Sequence, residues 1–345
     1  MEIIRVGVDL AKNVFQVHGV DGREQPVWQG KYKRNRWLEE VIKRVAPGAE
    51  VGMEACAGAH HWARRLQAQG YRVKLMAPQF VKPYVKSNKT DRNDAAAICE
   101  AMSRPSMRFV EVKSVEQQDI QAVHRVRTEL VAQRTSKANQ IRGLIGEYGL
   151  VAPVSLGALR RALPDWLEDA ENSLSDRFRR LLAGLADDLR QLDARIADLD
   201  DEIASIADSD PAVQRLLELR GVGPITATAL VAALGTGNAY RRGRDFSVSL
   251  GLTPKQYSSG GKERLLGISK RGDAYLRQLL VHGARSVIRT AADKDDSLSR
   301  WLQKLLARRH ANVVAVALAS KTARMAWALL HYDAVYQPSR AAATV

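Results

Sequence analysis

Ile3-Ile4-Arg5-Val6-Gly7-Val8-Asp9-Leu10 is a β-branched run that ends in a carboxylate, and the first third of the chain is organised around it. It predicts a strand. Val14 to Val20 and Pro26 to Gly30 follow as short strands, with Asp21-Gly22 as a hairpin-type turn between them. Asn35 to Val45 has helical periodicity, and Glu50-Val51-Gly52-Met53-Glu54 is a second short strand ending in a carboxylate. Ala59 to Gln69 reads as a helix, Arg72 to Met76 as a strand, and Pro78 to Val85 as a turn or short helix. This alternation predicts an α/β layer around a mixed sheet.

The next stretch is Lys89-Thr90-Asp91-Arg92-Asn93-Asp94-Ala95-Ala96-Ala97-Ile98. Asp91 falls at or just inside a helix start, and Asp94, three residues on, shares its face. Either acid alone also reads as a cap or a partner of the helix dipole. Together with Asp9 and Glu54 at two strand ends, they form a set of four carboxylates. Such a set repels itself, and one or two divalent cations relieve the repulsion. Hard oxygen donors suit Mg²⁺, with Mn²⁺ equally compatible. Two ions could activate a nucleophile and stabilise a leaving oxygen in phosphodiester cleavage. The order of the acids resembles the RNase H/RuvC layout.

The whole chain has 345 residues and a formal net charge of +15, from 53 Lys and Arg against 38 Asp and Glu. Its 26% charged and 46% hydrophobic residues predict a folded protein rather than a disordered one. The uninterrupted apolar stretch Val313 to Ala319 is short of a membrane span, and no signal-peptide core opens the sequence. Cys56 and Cys99 are too few for a disulfide framework or a Cys-rich zinc site, so a cytoplasmic setting is expected. The excess positive charge calls for a polyanionic partner, most economically nucleic acid.

That charge is uneven. Asp165 to Asp210 holds fourteen acids and five arginines, a local charge of −9, which leaves +24 for the remainder. In the same stretch Phe178, Leu182, Leu185, Leu189, Leu192, Ile196, Leu199, Ile203 and Ile206 are spaced alternately four and three apart. This strict heptad seam predicts a coiled coil, within the chain or between protomers; a long helix packed on its own domain is the plainer alternative. Val115 to Tyr148 reads as another long helix, and Pro153 and Pro164 punctuate the connector between the two. The expected domains are therefore residues 1–110, a helical assembly region at 111–212, and residues 213–345.

In the last region, Leu219-Arg220-Gly221-Val222-Gly223-Pro224-Ile225 has the pattern of a helix-hairpin-helix turn. Gly221 and Gly223 would allow the reversal and leave backbone N–H groups for phosphates, although a helix C-cap gives the same letters. Leu250-Gly251-Leu252-Thr253-Pro254 leads into Ser258-Ser259-Gly260-Gly261-Lys262, then Ile268-Ser269-Lys270-Arg271-Gly272. On charge and glycine content the serine segment reads as a flexible loop, and without an adjacent base the letters alone do not make it catalytic. Asp295 to Tyr332 reads as helical core around the basic Arg308-Arg309-His310, and Gln337 to Val345 as a flexible tail.

G-V-D-L-A-K at 7–12, M-E-A-C-A-G at 53–58 and K-T-D-R-N-D-A at 89–95 resemble the DEDD transposase and recombinase family, which includes insertion sequence 110 transposases and Piv-type DNA invertases. The resemblance implies a RuvC-like α/β catalytic domain in which Asp9, Glu54, Asp91 and Asp94 bind the metal. It also implies a mostly α-helical C-terminal transposase domain. The G-L-x-P, serine-glycine and I-S-K-x-G blocks resemble the family's second conserved segment, whose nucleophilic serine maps onto Ser259, with Ser258 left if the register slips. Attack by that serine would store the broken bond as a phosphoserine ester, so strand exchange needs no ATP. Lys262, Arg264, Lys270, Arg271 and Arg277 would hold the scissile strand. The resemblance further implies donor and target duplex DNA, a noncoding bridge RNA as guide, and a homo-oligomer, dimer or tetramer, in which acids and serine come from different protomers.

Three other functions fit the same letters: a Piv-like invertase without guide RNA, a RuvC-like nuclease or Holliday-junction resolvase that hydrolyses DNA with the acids alone, and a binding scaffold without catalysis. No membrane partner is expected.

Overall fold

Strand β1 (Ile3–Leu10) lies inside a six-stranded mixed sheet of order β3-β2-β1-β4-β5-β6, in a computed structural model that describes residues 2–86, 90–152 and 154–337. Its neighbours are β2 (Val14–Asp21), antiparallel, and β4 (Glu50–Glu54), parallel. Outside these lie β3 (Pro26–Lys33), antiparallel to β2, β5 (Arg72–Met76), parallel to β4, and the two-residue β6 (Phe109–Val110). The mixed sheet is as expected. β6 is new: two residues are too few to carry a period.

Alternation along β1 sorts its two faces. Val6 and Val8 are fully buried on the side of α1 (Trp37–Arg44) and α2 (Ala59–Gln67). There Phe15, Trp37 and Trp62 meet edge-on, with ring centroids 5.0–5.5 Å apart. Gly7 and Asp9 fall on the other side, which a short helix α3 (Pro78–Val81), a 3₁₀ turn (Lys82–Tyr84) and α4 (Asp91–Met102) cover. A Cβ on Gly7 would stand 2.3 Å from the Ala95 carbonyl oxygen, so only glycine lets α4 lie this close to the sheet. Lys89, Pro153 and residues 338–345 lie outside the described residues.

The chain divides into two units, Met1–Ser114 and Val115–Val345. The second is mostly helical. Its first long helices, α5 (Val115–Gly146) and α7 (Asp176–Ser209), run antiparallel and are tied by Arg127–Asp200, Arg134–Asp193 and Lys137–Asp188 ion pairs. Between them α6 (Leu156–Glu168) carries Pro164 inside it rather than at its end, with Leu159 and Leu163 buried. Asp188, Asp193 and Asp200 of α7 thus neutralise basic residues of the same chain, a pairing that no local pattern reveals. The heptad seam is unequally spent. Phe178, Leu182, Leu189, Ile196 and Ile203 are buried, whereas Leu185, Leu192, Leu199 and Ile206 are half-buried.

α8 (Pro211–Leu217), α9 (Pro224–Leu234), α10 (Gly243–Ser249), α11 (Ala274–Arg289), α12 (Ser297–Leu306) and α13 (Ala311–His331) complete the unit around one core. The stretch read as one helical region is two helices, because His310 caps α13 by accepting from the Asn312 N–H. α13 is long and apolar enough to cross a membrane, alone among the described residues, yet 61% of its apolar window is buried inside the protein, as in a core helix. His124 on α5 is buried between α9 and α11, with its ring nitrogens 2.9 Å from the Thr228 and Tyr275 hydroxyls. Burial, followed by the charge of Arg127, pushes its pKa down to about 4, so it is a neutral structural link at ordinary pH.

Candidate active site and nucleic-acid interface

The parallel register Val8↔Met53 places Asp9 and Glu54 one step further along adjacent strands, side by side on the face that α4 covers. Both are half-buried. α4 runs against β1: Ala95 and Cys99 lie over Gly7, while Ser103 and Arg104 share a cleft with Arg5. Its N-terminus therefore points to the Asp9 end of the strand. Thr90 caps that end by accepting from the Asn93 N–H, and Asp91 and Asp94 occupy the first turn. A cross-strand row Asp9↔Gln16↔Lys31 leads to Lys31 Nζ, 4.0 Å from Asp91 Oδ2. All four acids expected in the site thus gather at one end of one sheet face.

They do not close into a chelate. Among the described residues no three acidic, His or Cys side chains stand close enough to share one ion. Asp91 is exposed and Lys31 is its counter-charge. The Cys56 thiol nearby is raised by burial and then by the negative charges of Glu54 and Asp9. That shift reports a concentrated negative potential at the strand ends. The donors are all carboxylate oxygens, the chemistry that suits a hard divalent cation. The second cysteine, Cys99, is buried under α4 with its pKa pushed up to about 12, chiefly by burial, so it is an inert packing group.

In the second unit, the serine segment is not a loose loop. It is the end of a hairpin between β7 (Pro254–Gln256) and β8 (Leu265–Ile268), extended by a Tyr257 N–H to Arg264 carbonyl bond and a Ser259↔Lys262 bridge. Gly260 (φ 57°) and Gly261 (φ 78°) are the central residues, and two successive positive φ values make the tight reversal that only glycines adopt freely. Ser259 therefore sits at the tip, exposed, with Lys262 opposite and Arg264 on the returning strand. Ser258 accepts a bond from Gln256 Nε2 at 3.0 Å. Among the described residues no imidazole, lysine or carboxylate bonds the Ser259 hydroxyl.

The hairpin is anchored by backbone. Ser269 and Lys270 N–H groups donate to the Thr253 and Gly251 carbonyls, and a Cβ on Gly272 would lie 1.7 Å from the Ser249 carbonyl oxygen. Lys262, Arg264, Lys270 and Arg271 are exposed, whereas Arg277 is half-buried and donates to the Leu250 carbonyl at 2.8 Å. Arg277 thus positions the segment as well as adding charge. In the turn between α8 and α9, Gly221 faces Gly283 of α11 so closely that a Cβ would meet its carbonyl oxygen at 2.7 Å; Gly223 is exposed at the α9 N-terminus. The Gly-Gly pair in a hairpin was the readable signal for β7 and β8.

A family model described as "Transposase IS116/IS110/IS902 family" matches residues 213–299, and a DEDD transposase model of IS110 type matches residues 6–149. The chain is 52% identical to a Pseudomonas aeruginosa protein named "Probable family 20 transposase", over 98% of this chain and all of the relative. It is 44% identical to the transposase for insertion sequence element IS1111A of Coxiella burnetii, over 96% of this chain and 91% of that one. It is 40% identical to the transposase for IS1328 of Yersinia enterocolitica, over 96% and 98%.

Proposed function

The chain belongs to the IS116/IS110/IS902 transposase family and is a DNA transposase, and from that premise we propose that it cuts and rejoins DNA through a phosphoserine ester on Ser259. The observation that carries this reading is the hairpin tip, which holds the Ser259 hydroxyl out to solvent next to the Gly260-Gly261 turn, with the basic Lys262 opposite and Arg264 nearby. Asp9, Glu54, Asp91 and Asp94 would hold Mg²⁺ or Mn²⁺ once drawn together by the ion. When bound, the cation supplies positive charge to the phosphoryl oxygens and the leaving oxygen. The Ser259 oxygen forms a bond to phosphorus as the bond from phosphorus to O3′ breaks, and the serine proton passes in net to the departing 3′ oxygen. A 3′ hydroxyl from another strand reverses the step and frees the serine. Lys262, Arg264, Lys270 and Arg271 neutralise the phosphates on either side.

The remaining parts follow from the same premise. Residues 1–110 supply the RuvC-like acids, 111–212 the assembly region, and 213–345 the serine. The half-buried Leu185, Leu192, Leu199 and Ile206 of α7 leave apolar surface for a second copy, as a coiled coil between protomers requires. Gly223 and the α9 N-terminus act as the helix-hairpin-helix phosphate contact, while Gly221 serves the turn's packing. A bridge RNA selects donor and target, and the reaction runs in the cytoplasm on duplex DNA.

Strand joining tests the proposal. Supplied with element ends, a target duplex, a transcript of the element's flanking noncoding segment and Mg²⁺, the wild type is expected to give joined products. Ser259→Ala should give none, with Ser258→Ala close to wild type. Cleaved but unjoined ends from both wild type and Ser259→Ala would identify a hydrolytic nuclease instead.

A further inference from the structure

A groove of about 520 Å³ in the first unit is lined by Lys33, Arg34, His61 and Arg65, with the Asn13 and Asn35 amides among them. Trp62 forms its floor, 5% exposed, with the Arg34 and Arg65 guanidinium groups 5.5 Å and 5.3 Å from its ring centroid. The site is built. Arg34 N–H donates to the Asn13 carbonyl at 2.8 Å and its guanidinium to the Lys12 carbonyl at 3.3 Å, so the β1–β2 turn is clamped to the groove wall.

Its charge is uncompensated. No carboxylate lines the groove, and among the described residues none of Lys33, Arg34 and Arg65 pairs with an acid. The cleft beside α4 behaves differently: there Arg5 pairs with Glu24, and Lys86 and Arg104 both pair with Glu100. Burial, then the charges of Arg65, Arg64 and Arg34, depress the His61 pKa, which reports the positive potential the groove sustains. Several cations held around a concave, polar surface are favourable when an anion neutralises them.

Position says which anion. The clamped turn ends at Asn13, four residues after Asp9. On the other side Gly58, 3.9 Å from Arg34 Nη2 by its would-be Cβ, lies four residues after Glu54. The groove thus stands at the end of the sheet where β1 and β4 finish, on the α2 side, with the acids of those two strands on the face that α4 covers. Lys12, the last residue of G-V-D-L-A-K, sits exposed in the same turn.

We propose that this groove is a sequence-independent seat for the phosphodiester backbone of the DNA strand beside the bond being cut. Trp62 is too buried to stack a base, so recognition is by phosphate alone. The inference rests on the strand-transfer reading above. A strand seated across Lys33 and Arg65 delivers its next phosphate to the Asp9 and Glu54 end of the sheet.

The test measures affinity for a duplex and for an RNA of equal length, across a salt series, with the full-length protein. Lys33→Gln with Arg65→Gln should weaken DNA binding at 0.1 M salt by at least about tenfold, equally for unrelated sequences. It should also make the slope of log K against log salt shallower by about two. Lys33→Glu alone, at an exposed position, should make it shallower by at least about one and serves as the readout if the double variant melts early. In the wild type, the His61 ring resonances should move on adding the duplex. Unchanged slopes in both variants while the wild type binds DNA would overturn the groove and leave the transposase reading intact. Loss confined to RNA would overturn the assignment to DNA. A wild type that binds no DNA would overturn both.

Discussion

Asp9→Asn is expected to abolish strand cleavage, by about a thousandfold or more, while leaving the melting temperature within a degree or two of wild type. The substitution keeps the shape of the side chain and removes its charge. Asp9 sits at the end of β1, beside Glu54 in the parallel register and under the α4 N-terminus. It is therefore the acid most central to any cation held there. A thousandfold loss corresponds to about 4 kcal/mol of transition-state stabilisation, a reasonable share for charge neutralisation at a phosphoryl group. Glu54→Gln should behave alike. Binding of the DNA itself should persist, because removing a negative charge does not weaken phosphate contacts. Gel-resolved cleavage with Mg²⁺, alongside a thermal melt, checks both halves. A variant that cuts at near wild-type rate would remove Asp9 from the chemistry.

Gly272→Ala should cost about 3 kcal/mol or more and lower the melting temperature by roughly 6–12 °C. Gly272 has φ +91°, a conformation L residues avoid, and its would-be Cβ lies 1.7 Å from the Ser249 carbonyl oxygen. Both partners are backbone, so neither can rotate away. The Ser269–Gly272 segment must then lift off the Gly251–Thr253 turn to which Ser269 and Lys270 donate. That would unseat the base of the serine hairpin, so strand transfer should fall further than the loss of folded protein explains. Differential scanning calorimetry and cleavage per folded molecule measure the two effects. An Ala variant with wild-type melting would show that this packing is looser than the geometry indicates.

Much of the first unit was legible because its elements are local. A β-branched run such as Ile3–Leu10, with a carboxylate at its end, announces a strand. Thr90-Asp91 announces a helix start, and Thr90 is indeed the N-cap. The order of the acids was readable too; their spacing in space was not, because it depends on the β1–β4 register and the tilt of α4. Lys31 shows why. It reaches Asp91 only because three strands stack Asp9, Gln16 and Lys31 in one row.

The second unit hid more. The periodicity of α7 was plain, but whether its seam faces this chain or another copy is a tertiary matter. Half of the seam is buried and half remains partly open. Its local charge of −9 was equally plain, but that Asp188, Asp193 and Asp200 pair with α5 is visible only in the fold. Ser258-Ser259-Gly260-Gly261 looked flexible because glycine and serine dominate it, yet adjacent glycines with positive φ make a defined hairpin tip. His124 gave no signal, since one histidine in a long helix becomes notable only when Thr228 and Tyr275 arrive from elsewhere.

Whether acids and serine serve one reaction is read most directly by mapping the covalent bond. Wild-type protein is incubated with the guide transcript and a suicide duplex whose leaving strand escapes after cleavage, with Mg²⁺ or with EDTA. It is then digested, and the peptides are read by mass spectrometry. The expected result is a nucleotide-bearing peptide with the mass addition on Ser259, absent with EDTA, in Asp9→Asn and in Ser259→Ala. Free cleaved strands without any adduct, formed equally well by Ser259→Ala, would contradict it and leave hydrolysis by the acids alone.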